Sequence, residues 1–127
     1  MENSSAPAKT TSMRILLADD EPVLAELVSM VLRYSGHKVR MTSDGAAALA
    51  AYEQEAFDLI ITDLWMPKLN GLDLAKTVKA KNPGQKIVLL TGSVTEGEAK
   101  PPEVDFVLGK PVNVDSLTDI LSKVVTS

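Results

Sequence analysis

Five short apolar runs, MRILLA (13–18), KVRMT (38–42), DLIIT (58–62), KIVLLT (86–91) and VDFVL (104–108), punctuate the chain, and helical patterns fill most of the intervals between them. No other feature narrows the fold as much. The first, third and fourth runs are nearly unbroken in Leu, Ile and Val, which suits strands buried on both faces of a parallel sheet covered by helices. KVRMT alternates and suits a place nearer an edge. Parallel neighbours need a crossover, so strand-helix alternation predicts an α/β fold with right-handed connections.

Periodicity and stop signals place the helices. Leu24, Leu27, Val28, Val31 and Leu32 predict a first helix behind Pro22 that ends before Gly36. Ser43-Asp44 opens an Ala-rich helix running to about Gln54, and residues 71–81 put Leu74, Ala75 and Val78 on one side before Asn82-Pro83-Gly84 stops them. The last helix opens at Asn113 and carries Leu117, Ile120, Leu121 and Val124 on one face. The interval GSVTEGEAKPPE (92–103) breaks the rhythm, because its glycines and its Pro-Pro pair oppose a long helix. The fourth helix is therefore expected to be short or disordered.

A length of 127 residues fits one domain, and 45% hydrophobic with only 4% aromatic residues implies a core of Leu, Val, Ile and Ala. The absence of cysteine excludes disulfide and thiolate chemistry and fits a cytoplasmic setting. A formal charge of -4 argues against direct binding of nucleic acid, which needs a basic face. Lys76, Lys79 and Lys81 read as the solvated side of a helix. MENSSAPAKTTS (1–12) lacks the apolar block of a signal peptide, and no later run approaches the ~20 residues of a membrane span. It is expected to be a disordered extension ahead of a folded domain over 13–125. His37, in the turn before the second strand, reads as a surface residue.

Open parallel sheets form their sites beyond the carboxyl ends of the strands. Asp19, Asp20 and Glu21 follow the first run, Asp63 follows the third, Thr91 ends the fourth, and Lys110-Pro111 follows the fifth. Carboxylates gathered on one rim stay ionised together only if a cation offsets their repulsion. An all-oxygen donor set suits a hard ion, Mg²⁺ or Mn²⁺. A carboxylate is also a nucleophile toward phosphorus, and a hydroxyl and an ammonium beside it would steady the phosphoryl oxygens. Asp58, Asp73 and Asp105 fall outside this set and read as loop acids.

The motifs DDEP (19–22), DLWMP (63–67) with Gly71, TG (91–92) and KP (110–111) together resemble the receiver domain of bacterial two-component response regulators. The resemblance covers about residues 13–125. It implies a flavodoxin-like doubly wound sheet of order 2-1-3-4-5, with Asp63 as phosphoacceptor. It implies Mg²⁺ held by Asp19, Asp20, Asp63 and the Trp65 backbone carbonyl, with Thr91 and Lys110 contacting the phosphoryl group as switch residues. Pro67, Gly71 and Pro111 would shape the site, and the Lys110–Pro111 bond would be cis. The implied partners are a histidine kinase or histidine phosphotransfer protein and a downstream protein, with no direct nucleic acid and no membrane. Its only catalysis would be its own phosphorylation and dephosphorylation.

Such domains often carry an aromatic switch residue three positions before the lysine, where this chain has Val107; Phe106 is expected to face the opposite side of the strand. A second reading is thus a receiver-like adaptor with weak or no switching. A third, a phosphohydrolase, is opposed by Trp65, which stands where such enzymes place a second acid. The Trp65 ring is also a candidate shield for an acyl phosphate.

Overall fold

The apolar runs become five parallel strands. The computed structural model describes residues 12–92 and 100–126. Its strands are β1 (Arg14–Ala18), β2 (Lys38–Thr42), β3 (Leu59–Asp63), β4 (Lys86–Thr91) and β5 (Phe106–Gly109), in the sheet order β2-β1-β3-β4-β5. The helices among the described residues are α1 (Pro22–Tyr34), α2 (Gly45–Gln54), α3 (Gly71–Lys81) and α4 (Val114–Thr126). β2 lies on an edge, and the continuous runs β1, β3 and β4 lie inside. The 2-1-3-4-5 order puts the reversal of direction between β1 and β3, the place where such sheets open a crevice at their carboxyl ends.

Strand alternation splits the core in two. Ile15, Leu17, Leu59, Ile61, Val88, Leu90 and Leu108 face one side and pack with α1 and α4; Leu16, Ile60, Ile87 and Leu89 face the other and pack with α2 and α3. As expected, Phe106 packs against the first cluster and Val107 against the second. In α4, Leu117, Ile120, Leu121 and Val124 are all buried, and in α3 so are Leu74, Ala75 and Val78.

Caps set the helix starts. The side chain of Asp44 accepts the Ala47 N–H at 2.7 Å, Asn70 accepts that of Asp73 at 2.8 Å, and Asn113 accepts that of Ser116 at 2.7 Å. α1 instead begins with Pro22 and ends before Gly36, whose φ of 97° lies in the left-handed region.

The structure corrects several expectations. The core face of α1 is Ala25, Val28, Ser29 and Leu32, while Leu27 is exposed and Leu24 and Val31 are half-buried. Small Ala25 and Ser29 let the helix lie close to the sheet, and neither belongs to a pattern of large apolar residues. β5 begins at Phe106, because the Asp105 carboxylate takes the Ile87 N–H at 2.8 Å and the Lys79 ammonium at 2.9 Å, closing the strand there. Asp105 is thus a staple between β4, α3 and the start of β5. Lys79 is correspondingly half-buried, and Lys81 pairs with Glu53. His37 is buried, its Nδ1 accepting the Met13 N–H at 3.1 Å. Most of the interval expected to hold a short helix (93–99) and of the expected N-terminal extension (1–11) lies outside the described residues.

Candidate functional site

The stretch after β3 explains why an apolar run ends in an acid and then breaks at Met66-Pro67. Asp63 is the last residue of β3 and is buried. The chain then turns sharply, with Lys68 at φ 73°, and the Pro67 carbonyl accepts the Leu69 N–H at 2.8 Å. Gly71 closes the turn by donating its N–H to the Leu64 carbonyl at 2.8 Å. A Cβ at Gly71 would lie 2.2 Å from the Asp63 carbonyl oxygen, so only glycine lets α3 start this close to the acid. Met66 is buried and helps seat the turn, whereas Trp65 is 68% exposed.

The other site residues arrive from neighbouring strand ends. Asp19 directly follows β1 and is buried, whereas Asp20 is exposed. One carboxylate oxygen each from Asp19, Asp20 and Asp63 lies within 4.8 Å of the others. Lys110 Nζ reaches in from beyond β5, 3.0 Å from Asp63 Oδ1 and 3.3 Å from Glu21 Oε1. Asp63 Oδ1 also accepts the Leu64 N–H at 2.9 Å. Thr91 is buried at the end of β4, and its carbonyl accepts the Lys110 N–H at 3.0 Å. The Lys110–Pro111 bond is cis.

Glu21, a rim acid outside the set that the resemblance implies, also joins the site. Its only signal was its place in the run DDEP. It gives Lys110 a second carboxylate, and its N–H is donated to Asp19 Oδ1 at 3.0 Å.

The electrostatics are those of a crowded acid pocket. Burial is the main cause that holds the Asp19 carboxyl above its ordinary range, against the Glu21 N–H and the Lys110 charge, which pull it down. Burial also pulls Lys110 down, but its hydrogen bond to Asp63 and the charges of Asp19 and Asp63 outweigh it and hold the ammonium above its ordinary value. Asp19 Oδ2 is buried with no hydrogen-bond partner among the described residues. An orphaned carboxylate oxygen beside two further carboxylates fits a hard divalent cation, whose ligands are oxygens. Asp19, Asp20 and Asp63 are therefore suited to hold one.

A carboxylate cluster with one lysine at the carboxyl rim of a 2-1-3-4-5 parallel sheet is the arrangement of a flavodoxin-like receiver. The family model for the response regulator receiver domain matches residues 15–122, and the chain belongs to that family. It is 39% identical over 106 residues to the DNA-binding response regulator MtrA of Mycolicibacterium smegmatis, covering 84% of this chain and 43% of MtrA. Among solved structures it is similar to the chemotaxis response regulator CheY4 of Vibrio cholerae, with a TM-score of 0.81 and 30% identity over 90% of this chain and 99% of that one. It is also similar to the receiver domain of a sensor histidine kinase from Pseudomonas aeruginosa PAO1, with a TM-score of 0.82 and 26% identity over 92% of this chain and 100% of that one. Magnesium is coordinated in the active-site cleft of that structure.

The chain spans between a third and a half of the length of the first curated regulators it matches. Because MtrA is a DNA-binding regulator, the expectation of no nucleic-acid partner gains no support for any longer protein of this kind. No helix among the described residues is long and apolar enough to cross a membrane.

Proposed function

We propose that this receiver takes a phosphoryl group onto Asp63 from a phosphohistidine of a histidine kinase or phosphotransfer protein, and that the modification alters its contacts with a downstream protein. The observation that carries this reading is the convergence of the Asp19, Asp20 and Asp63 carboxylates with Lys110 Nζ 3.0 Å from Asp63. Asp19, Asp20 and Asp63 would hold Mg²⁺, with the Trp65 carbonyl as a further ligand. The cation, when bound, offsets the carboxylate charge and that of the incoming phosphoryl oxygens. An Asp63 oxygen attacks phosphorus while the P–N bond to the donor imidazole breaks. Lys110 then moves its ion pair from the Asp63 carboxylate to a phosphoryl oxygen, and Thr91 donates its hydroxyl to another.

The test is phosphotransfer from a phosphodonor in Mg²⁺, comparing wild type with Asp63→Asn. Wild type should incorporate phosphate and the variant none; labelling of the variant at the wild-type rate would place the nucleophile elsewhere. One observation favours a second reading, the adaptor. Val107 stands where receivers often carry a switch ring, and it lies half-buried against the core cluster facing α2 and α3. Amide exchange that is the same with and without beryllium fluoride, in protein shown to bind it, would favour that adaptor.

A further inference from the structure

α1 carries an apolar line on the side opposite its core face. Val23, Leu27, Met30 and Tyr34 are 84%, 50%, 57% and 93% exposed. Single apolar residues scattered on a surface need no explanation, but four in one line do. Their spacing of four, three and four residues is that of a narrow seam made to pack against another helix. The core residues Ala25, Val28, Ser29 and Leu32 point the other way, and among the described residues these four side chains stay exposed.

Charge selects the occupant. Glu26 and Arg33 are both exposed, and at about 100° per residue they lie on the same flank of the seam. A twofold axis crossing α1 midway along the seam would bring up a second α1 running antiparallel. Leu27 would then face Met30 of the second copy, Val23 would face Tyr34, and Glu26 would face Arg33, each contact occurring twice by symmetry. A parallel pair would set these charges against the apolar flank of Leu24 and Val31. Arg33 spends one hydrogen bond on the Val39 carbonyl, at 3.3 Å, and its guanidinium has further N–H groups for a carboxylate.

We infer that the chain self-associates through α1 as an antiparallel twofold dimer with Leu27 and Met30 at its centre and reciprocal Glu26–Arg33 pairs along one side. A helix of 13 residues is about 20 Å long. The seam is thus small beside a standard interface, and the dimer is weak and reversible.

Sedimentation equilibrium on the full chain, over a range reaching millimolar protein, tests this. Wild type should pass from monomer to dimer. Leu27→Glu should raise the dissociation constant roughly tenfold or more, since it puts a charge at a buried centre. Glu26→Arg and Arg33→Glu should each weaken the dimer, and the two together should restore it. These positions are exposed, and circular dichroism checks that each variant stays folded. A wild-type chain that remains monomeric throughout would overturn the inference. So would a dimer indifferent to Leu27→Glu, or a double charge exchange that fails to restore association; either would show that another surface or another helix partner is involved.

Discussion

The two ends of the sheet treat charge in opposite ways. At the amino-terminal end, acids and bases are matched: Arg14 and Arg40 hold Glu55 from two sides, Lys79 meets Asp105 at 2.9 Å, and Lys81 meets Glu53. The hydrogen bond from Arg40 is the main cause holding the Glu55 carboxyl below its ordinary range. At the carboxyl-terminal end, Asp19, Asp20, Glu21 and Asp63 gather with Lys110, and a buried oxygen of Asp19 has no partner among the described residues. Both ends come from the same strands, so the contrast does not follow from topology. One end is arranged for stability; the other keeps like charges together at a cost in stability.

Removing an acid should then have opposite signs at the two ends. Asp105→Ala strands the Ile87 N–H and the Lys79 ammonium, and should cost about 2 kcal/mol. The loss would appear as a lower urea midpoint at unchanged slope. Asp19→Asn keeps an oxygen for the Glu21 N–H while removing a buried, repelled charge, and in metal-free protein should add about 1 kcal/mol. Saturating Mg²⁺ should reverse that gain, because only the wild-type site has all its carboxylates. A metal-free loss on Asp19→Asn would break the contrast between the ends. Lys81→Ala should fall within about 0.5 kcal/mol, since the pair it removes is exposed on both sides.

Much of the same contrast governs what could be read without coordinates. The rim is legible because each residue ends or closely follows an apolar run, so Asp19, Asp20, Asp63, Thr91 and Lys110 belong at strand ends from chain order alone. Gly71 was legible as part of a motif, but not for its physical reason, which is its approach to the Asp63 carbonyl from across the turn. The amino-terminal end was not legible. Asp105 and Lys79 are 26 residues apart and carry no local pattern, so their pairing depends on the packing of α3 against β4. The core face of α1 is hidden from the sequence for a related cause. The stripe Leu24, Leu27, Val28, Val31 and Leu32 does not all turn inward, because Ala25 and Ser29 fill the tight contact and leave Leu27 outside.

His37 tests whether the amino-terminal end tolerates a new charge. It is the only histidine in the chain, and it sits buried with Nδ1 accepting the Met13 N–H where β1 begins. Burial holds its pKa below the ordinary 6.5. Because the folded value lies below the unfolded one, the fold prefers the neutral ring. Stability from this group is complete above pH 6.5 and is lost as pH falls from there through the folded value. The first step of this loss begins just below pH 6.5. His37→Gln, which cannot take up a proton, should remove that first step, so that wild type loses stability relative to the variant as pH drops below 6.5. Urea midpoints measured in steps through this range give the difference directly. A difference that does not change with pH would mean that the folded ring accepts its proton as easily as the unfolded one, and that even the paired end of the sheet admits an unmatched charge.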